Sequence, residues 1–324
     1  MNFHLNYTPP TSVNKLSYSD NIMLIGSCFS ESIGASLKKN KFKINVNPSG
    51  VVFNPESICK TLTYIIKGGK FQKHDLFQFH DLWYHWDFHS RFSNIASDIC
   101  LDNINTSVKN AHIHLKNSKW LFITLGSSHV YKLSQTNVTV ANCHKLPQEK
   151  FEKNLLPALE IEQQLIKLVK DLKVFNPSLQ IVFTVSPVRY LKDGLIENNI
   201  SKAQLFSAIH KVTSKYDNCH YFPAYELIID DLRDYRFFKD DLTHPNEQAI
   251  RYVFDKFLSA YLDDEGRKLL GIIEQIQSAM DHKPFNPESS AHQKFKQAQL
   301  NICNSISKQY PYLNLSKEIS FFKS

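Results

Sequence analysis

NIMLIGSCFSESIG, residues 21–34, reads as a strand that enters a helix through a tight turn. The apolar run 22–25 ends at Gly26, and helical spacing follows directly. Between strand and helix, Ser27 and Cys28 would project from the carboxyl end of a sheet, beside the N–H groups of a helix N-terminus. The stretch therefore predicts a site with two neighbouring candidate nucleophiles.

Two later apolar runs have the composition of strands buried on both faces. They are WLFITLG at 120–126 and LQIVFTVSP at 179–187. Helices are predicted at 148–174 and 201–216, so strands and helices alternate along the chain. This alternation favours an α/β fold with a doubly wound, mostly parallel sheet, to which 220–230 adds a last short strand.

Ligands bind outside the carboxyl ends of the strands in such sheets. The residues that follow the predicted strands include Gly126, Ser128 and Arg189, which we expect at the same rim as Cys28. Arg189 has two interpretations. It binds a carboxylate or phosphate of a substrate, or it pairs structurally with an aspartate in 230–234.

The composition is that of a soluble globular protein, since 42% of the 324 residues are hydrophobic and 21% are charged. The net charge of +7 comes from scattered lysines without a recognition motif, so no nucleic-acid partner is expected. The six cysteines form no C-x-x-C pair and indicate free thiols in a reducing compartment. No secretory signal and no apolar run of ~20 residues is visible, so we expect a cytoplasmic protein without a membrane span.

Residues 71–93 are unusually rich in aromatic side chains and histidine. The spacings between His80, His85 and His89 fit no common zinc signature, so this segment predicts an aromatic pocket lining and no metal site. His89 and Arg91 are the members expected nearest the site. The nine glycines form no phosphate-binding loop, and no cofactor is predicted.

A second informative stretch is FFKDDLTHPNEQA, residues 237–249. Asp241 and His244 are three residues apart in a predicted loop, where the carboxylate can accept a hydrogen bond from one imidazole nitrogen. The ring is then oriented while its other nitrogen acts as a base. Most such pairs are surface pairs, but the strand–Gly–nucleophile turn elsewhere in the predicted sheet makes this one a catalytic candidate.

Six separated motifs, in this order, resemble the GSCFA-domain family. They are GSCF (26–29), NPSGVVFNP (47–55), ITLGSSHVY (123–131), VANCHKLP (140–147), TVSPVR (184–189) and LRDYRFFKDDLTHP (232–245). That family is similar to the SGNH, or GDSL-type, hydrolases, so the resemblance implies a three-layer α/β/α, flavodoxin-like fold. We expect this domain at 1–262 and a helical C-terminal extension packed on it at 263–324, which could also form a contact between copies of the chain.

The resemblance also assigns roles to residues. The superfamily's Gly-Asp-Ser block matches Gly26, Ser27 and Cys28, so Cys28 takes the position of the nucleophile. The Asp-x-x-His block matches Asp241 and His244. His244 would be the base, and Asp241 would orient it.

The oxyanion donors implied by the resemblance are the N–H groups of Cys28 and Gly50. The third block has Ser128 where the superfamily has an asparagine, and loss of such a donor can cost about 10²–10³ in rate. Asn142 or His144 could replace it. The predicted oxyanion and substrate-binding residues are therefore Gly50, Asn54, Gly126, Ser128, Asn142, His144, His89 and Arg189.

Three interpretations of the turn remain open. Cys28 is a nucleophile whose pKa is lowered by the helix N-terminus and a nearby imidazolium, or it is a small buried side chain, or Ser27 is the nucleophile. The first predicts a hydrolase or acyltransferase that acts on an ester or thioester bond of a small molecule or acylated carbohydrate. The alternative is an inactive protein of the same fold that binds an acylated or carbohydrate ligand.

Overall fold

The structure, a computed structural model, describes residues 5–323. In chain order its strands are β1 (Asn21–Gly26), β2 (Lys43–Val46), β3 (Phe77–Phe79), β4 (Leu82–Tyr84), β5 (Ser118–Leu125), β6 (His129–Leu133), β7 (Thr139–Val140), β8 (Phe151–Leu155), β9 (Gln180–Val185) and β10 (Cys219–Tyr221). Its helices are α1 (Cys28–Lys39), α2 (Pro55–Lys67), α3 (Ser97–Lys116), α4 (Ala158–Phe175), α5 (Leu195–Thr213), α6 (Ala224–Glu226), α7 (Glu247–Tyr261), α8 (Asp264–Asp281), α9 (Ser290–Gln309) and α10 (Ser316–Lys323).

Five of the strands form one sheet in the order β2-β1-β5-β9-β10. Every neighbouring pair in this sheet is parallel. Numbered among themselves, the five strands have the order of flavodoxin-like folds, in which the winding direction changes beside the first strand. The predicted α/β/α fold class is confirmed, and the switch point lies at the end of β1.

Both faces of the sheet are buried because successive side chains of a strand point to opposite sides. Ile22 and Leu24 of β1 pack with α1 and α7, whereas Met23 and Ile25 pack with α2, α4 and α5. Burial of each such side chain contributes about 1.5–3 kcal/mol. Because the helices on both faces of the sheet need apolar partners, every residue of the run 22–25 is apolar. Gly26 then ends the strand.

The predicted helix 148–174 is wrong in its first part. Residues 151–155 form β8, which pairs antiparallel with β6, and α4 begins only at Ala158. Pro157 explains the late start, because a proline disfavours helical backbone in the residue before it. Strands β6, β7 and β8 form a small sheet that starts directly after the Gly126 turn.

The predicted last strand 220–230 is also shorter than expected, since β10 ends at Tyr221. Pro223 has no N–H for a continuing ladder, and the chain turns into α6 and a π-helix, Leu227–Leu232. The order of the sheet is unaffected.

Helices α8, α9 and α10 pack against the side of the sheet that carries α1 and α7. Leu269, Ile306 and Leu315 belong to the same core cluster as those two helices. Lys41 pairs with the buried Glu318 of α10 at 2.5 Å. The boundary at 262/263 and a contact between copies of the chain stay predictions. Across residues 5–323, every helix is too short or too polar to cross a bilayer.

Candidate active site

The turn after β1 is built around Gly26, whose φ is +144°. A Cβ at this position would lie 2.2 Å from the backbone oxygen of Thr124, so glycine is required by both conformation and space. The N–H of Gly26 donates to Asn47 Oδ1 at 2.8 Å, and the N–H of Ser27 donates to Thr124 O at 3.2 Å. These bonds set the start of α1 at Cys28.

Ser27 is the N-cap of α1 and is only 5% exposed. Its hydroxyl accepts from the N–H of Phe29 at 3.2 Å and donates to Ser186 Oγ at 3.0 Å. A capping hydroxyl of this kind stabilises a helix by about 1 kcal/mol. The hydroxyl of Ser27 is therefore engaged within the protein both as a donor and as an acceptor.

Cys28 is half-buried at the first position of α1. Burial raises the pKa of its thiol, and Glu31 raises it further, while the N–H groups of Cys28 and Phe29 and the ammonium of Lys239 act in the opposite direction. The lowered pKa expected from the sequence is therefore wrong. Desolvation outweighs the helix N-terminus here, so the thiol needs a base to ionise at neutral pH.

Asp241 and His244 are paired as their spacing predicts. Asp241 Oδ2 lies 2.7 Å from His244 Nδ1, and its Oδ1 accepts from the N–H groups of Thr243 and His244, both at 2.9 Å. These N–H donors and the imidazole hold the pKa of the Asp241 carboxyl well below its usual range. Within residues 5–323, His244 Nε2 makes no hydrogen bond, so it is the ring nitrogen that is available as a base.

The loop that carries His244 faces α1, because Lys239 and Pro245 line one cleft together with Ser32 of that helix. Lys239, whose charge acts on the Cys28 thiol, donates its backbone N–H to His244 O at 2.8 Å. No hydrogen bond joins His244 to Cys28 in the described part of the chain. Catalytic hydrogen bonds are often long in the absence of substrate, so this geometry is compatible with a base that closes on the thiol when substrate binds.

Several predicted oxyanion donors have other partners in this structure. The N–H of Gly50 donates to Asn47 O at 2.8 Å, and a Cβ on Gly50 would lie 2.1 Å from His89 Cβ. Ser128 is fully buried, and its N–H and hydroxyl both donate to Ser201 Oγ, at 2.8 and 3.1 Å. The N–H of Cys28 has no partner on another residue within 5–323 and remains the candidate donor.

The predicted donors Asn142 and His144 join two loops at the edge of the rim. Asn142 Oδ1 accepts from the N–H of His144 at 2.8 Å. The imidazole of His144 lies 3.0 Å from His85 O through Nε2 and 3.0 Å from Ser90 Oγ through Nδ1. Burial lowers the pKa of His144 to about 4, so the ring is neutral. Both of its nitrogens are used in hydrogen bonds within the protein.

The remaining predicted binding residues also support the rim. Asn54 is buried and caps α2 by accepting from the N–H of Ser57 at 2.8 Å. Gly126 donates its N–H to Phe53 O at 2.7 Å. His89 packs over Gly50, and its Nδ1 accepts from the N–H of Arg91 at 3.1 Å. Throughout residues 5–323, no three His, Cys, Asp or Glu side chains are grouped so that they could hold a metal ion.

The model of a known protein family matches residues 21–257, which is more than half of the chain. The chain belongs to the GSCFA family. Residues 273–324 match a second profile, described as the C-terminal domain of GSCFA domain proteins. The resemblance to the GSCFA family is thereby confirmed.

Three solved structures similar to this GSCFA protein are distant from it in sequence. An acetyl xylan esterase from the rumen bacterium Butyrivibrio proteoclasticus is 10% identical, with 78% of this chain and 65% of that chain covered and a TM-score of 0.40. A family 3 carbohydrate esterase from Clostridium thermocellum is 11% identical, with coverage of 79% and 100% and a TM-score of 0.37. A family 3 carbohydrate esterase from Talaromyces cellulolyticus is 10% identical, with coverage of 79% and 99% and a TM-score of 0.36. No curated protein matches the chain.

Arg189 of the GSCFA protein supports the loop between Asp241 and His244. Its N–H donates to Thr243 O at 3.2 Å and its Nη1 to Leu242 O at 3.1 Å. The guanidinium lies 4.3 Å from the ring centroid of Phe238. Leu242 has a φ of +55°, which is strained for a residue with a branched side chain, so the loop needs such bonds to keep its shape.

Arg189→Leu is expected to lower kcat for hydrolysis of p-nitrophenyl acetate about 10-fold with little change in KM, because the base loses its position. Arg236→Leu is the matched control, since Arg236 pairs with the exposed Asp234 in the preceding turn, and it should change kcat less than about twofold. A large rise in KM at unchanged kcat would instead assign Arg189 to substrate binding.

Sequence reasoning missed a polar patch on α5. Leu205, Ala208 and Ile209 belong to a core-facing stripe, and one heptad earlier the same positions hold Asn198, Ser201 and Lys202. These three polar residues are at most 4% exposed. A polar residue in register with an apolar stripe is the signal that could have found them.

Each residue of this patch bonds to a loop of the rim. Asn198 Oδ1 accepts from the N–H of Tyr190 at 2.9 Å, and Ser201 bonds to Ser128 as described. Lys202 Nζ donates to Gly126 O at 2.5 Å and to Ser186 O at 2.7 Å. The helix therefore ties together the loops that follow β5 and β9.

Proposed function

We propose that the protein is a hydrolase or acyltransferase that acts on an ester or thioester of a small molecule, with Cys28 as nucleophile, His244 as base and Asp241 as the residue that orients His244. The observation that carries this proposal is the Asp241–His244 pair at 2.7 Å, in a loop that shares a cleft with α1, the helix that begins at Cys28. The raised thiol pKa makes the base necessary.

In the first step, Sγ of Cys28 attacks the carbonyl carbon while Nε2 of His244 takes the thiol proton. The N–H of Cys28 stabilises the oxyanion that forms. When the intermediate collapses, the bond from the carbonyl carbon to the leaving group breaks and His244 gives its proton to the alcohol or thiol that leaves. Water, or another acceptor, then attacks the thioester carbonyl carbon as His244 takes its proton. The bond from that carbon to Sγ breaks, the acyl group leaves on the acceptor, and His244 returns the proton to Sγ of Cys28.

A second candidate function is ligand binding without turnover. The partners of Gly50 and Ser128 favour it, because both predicted donors already bond within the protein. The ligand would then be an acylated molecule or a carbohydrate held at the same rim.

Acyl trapping separates the two functions. The protein is mixed with p-nitrophenyl acetate, quenched in acid and digested, and each cysteine peptide is analysed by mass spectrometry for a gained acetyl group. Turnover predicts that Cys28 is acetylated faster than Cys59 and Cys143, which are also partly exposed, and that His244→Ala removes the advantage. Acetylation of Cys28 at the rate of those two cysteines would favour binding without turnover.

A further inference from the structure

Lys202 is a buried cation directly beneath the site. Its side chain is 2% exposed, and both of its protein acceptors are backbone oxygens at the ends of strands, Gly126 O after β5 and Ser186 O after β9. A lysine is almost never buried to this degree without a charged partner, because desolvation of an ammonium is costly. Two neutral carbonyls offset part of that cost, and among residues 5–323 the third ammonium proton has no hydrogen-bond partner.

Ser186 links this cation to the catalytic turn. Its backbone oxygen accepts from Lys202, and its hydroxyl accepts from Ser27, the residue next to Cys28. Charge on Cys28 acts on Lys202, since a thiolate there favours the protonated ammonium. Gly126, whose oxygen accepts from Lys202, also lies beside Ser27, since a Cβ on Gly126 would be 3.5 Å from Ser27 Cβ. The space between the ammonium and the Cys28 turn is therefore buried and of low dielectric, and charges act more strongly there than in water.

We propose that Lys202 is a positioning residue which holds the loops after β5 and β9 beneath the Cys28 turn and, when protonated, stabilises negative charge on the Cys28 sulfur. No hydrogen bond to Cys28 is required, because the positive charge of the ammonium attracts a thiolate across the short buried region between them. The inference rests on the proposed function only in taking Cys28 as the reactive thiol.

The pH dependence has a definite sign. Burial lowers the pKa of Lys202 to about 7, so its charge is present at pH 6 and is lost as the pH rises through 7. The charged side chains that act on the Cys28 thiol are Glu31 and Lys239, and His244 is hydrogen-bonded to the backbone of Lys239. Their titration is shared by the wild type and a Lys202 variant, so it cancels in a ratio of the two rates.

The experiment compares alkylation of Cys28 by iodoacetamide in the wild type and in Lys202→Met between pH 6 and pH 9, with each cysteine quantified by mass spectrometry. The wild-type rate is expected to exceed that of the variant about 10-fold at pH 6, and the ratio should fall to about one at pH 9. A purely structural role would change the rate by the same factor at every pH. A ratio that is constant with pH, including a constant ratio of one, overturns the proposal.

Two further variants control for folding and loop geometry. Lys202→Gln removes the charge but keeps an amide that can donate to a carbonyl, so it gives the same test if Lys202→Met fails to fold. Ser201→Ala removes bonds from the same face of α5 to Ser128 while Lys202 stays charged. The ratio of the Cys28 alkylation rate in the wild type to that in Ser201→Ala should be independent of pH. A ratio that changes with pH as it does for Lys202→Met would contradict the inference. Because alkylation reports the thiol itself, absence of turnover leaves this test intact.

Discussion

Replacement of Cys28 by alanine is expected to lower the rate of p-nitrophenyl acetate hydrolysis by about 10³-fold or more, since the proposed acyl intermediate forms on its sulfur. Ser27 cannot take its place, because its hydroxyl is 5% exposed and already bonds to Ser186 and to the N–H of Phe29. The protein should stay folded, as Cys28 is only half-buried and makes no hydrogen bond to another side chain within residues 5–323.

Three control variants sharpen this prediction. Cys59→Ala and Cys143→Ala remove other partly exposed thiols and should each change the rate less than about twofold. Ser27→Ala removes the cap of α1 and should lower the free energy of unfolding by about 1 kcal/mol, while most of the activity remains. Full activity in Cys28→Ala, together with loss of activity in Ser27→Ala, would identify Ser27 as the nucleophile and contradict the proposed mechanism.

Local patterns in the sequence were sufficient for the fold and for the parts of the site that are formed by neighbours in the chain. The doubly wound sheet follows from apolar runs such as 120–126, whose residues need partners on both faces. The turn at Gly26 follows from a strand that ends in glycine before a helix. The Asp241–His244 bond is predicted by their spacing, because a carboxylate three residues from an imidazole in a loop can reach it.

The sequence did not predict the features of the site that depend on contacts between residues distant in the chain. Lys202 and Gly126 are 76 positions apart, so their hydrogen bond depends on how α5 packs over the sheet. The pKa of Cys28 depends on burial, and a helix N-terminus read from sequence gives only the opposing contribution. Gly50 is a different case: its motif matched it to an oxyanion donor, but its N–H is used in a local turn, where it donates to Asn47 O three positions earlier.

His244→Ala is expected to lower the rate of acyl transfer about 10²–10⁴-fold at pH 7, the usual contribution of a general base. The effect should be at the upper end of that range, because burial and Glu31 raise the pKa of the Cys28 thiol and leave little thiolate at this pH. Asp241→Asn should have a smaller effect, since the amide can still hold the imidazole in place but no longer stabilises its charged form.

The pH profile of His244→Ala distinguishes a base from a structural residue. With the pKa of the thiol raised, thiolate forms in quantity only above pH 9, the ordinary value for cysteine. The variant should therefore regain activity steeply as the pH rises toward 10, and the gap to the wild type should close. If the thiol pKa were instead depressed, the thiolate would be present in both proteins at pH 7 and the deficit would be small and independent of pH. A large deficit that persists unchanged to pH 10 would mean that His244 stabilises the loop without taking the proton of Cys28.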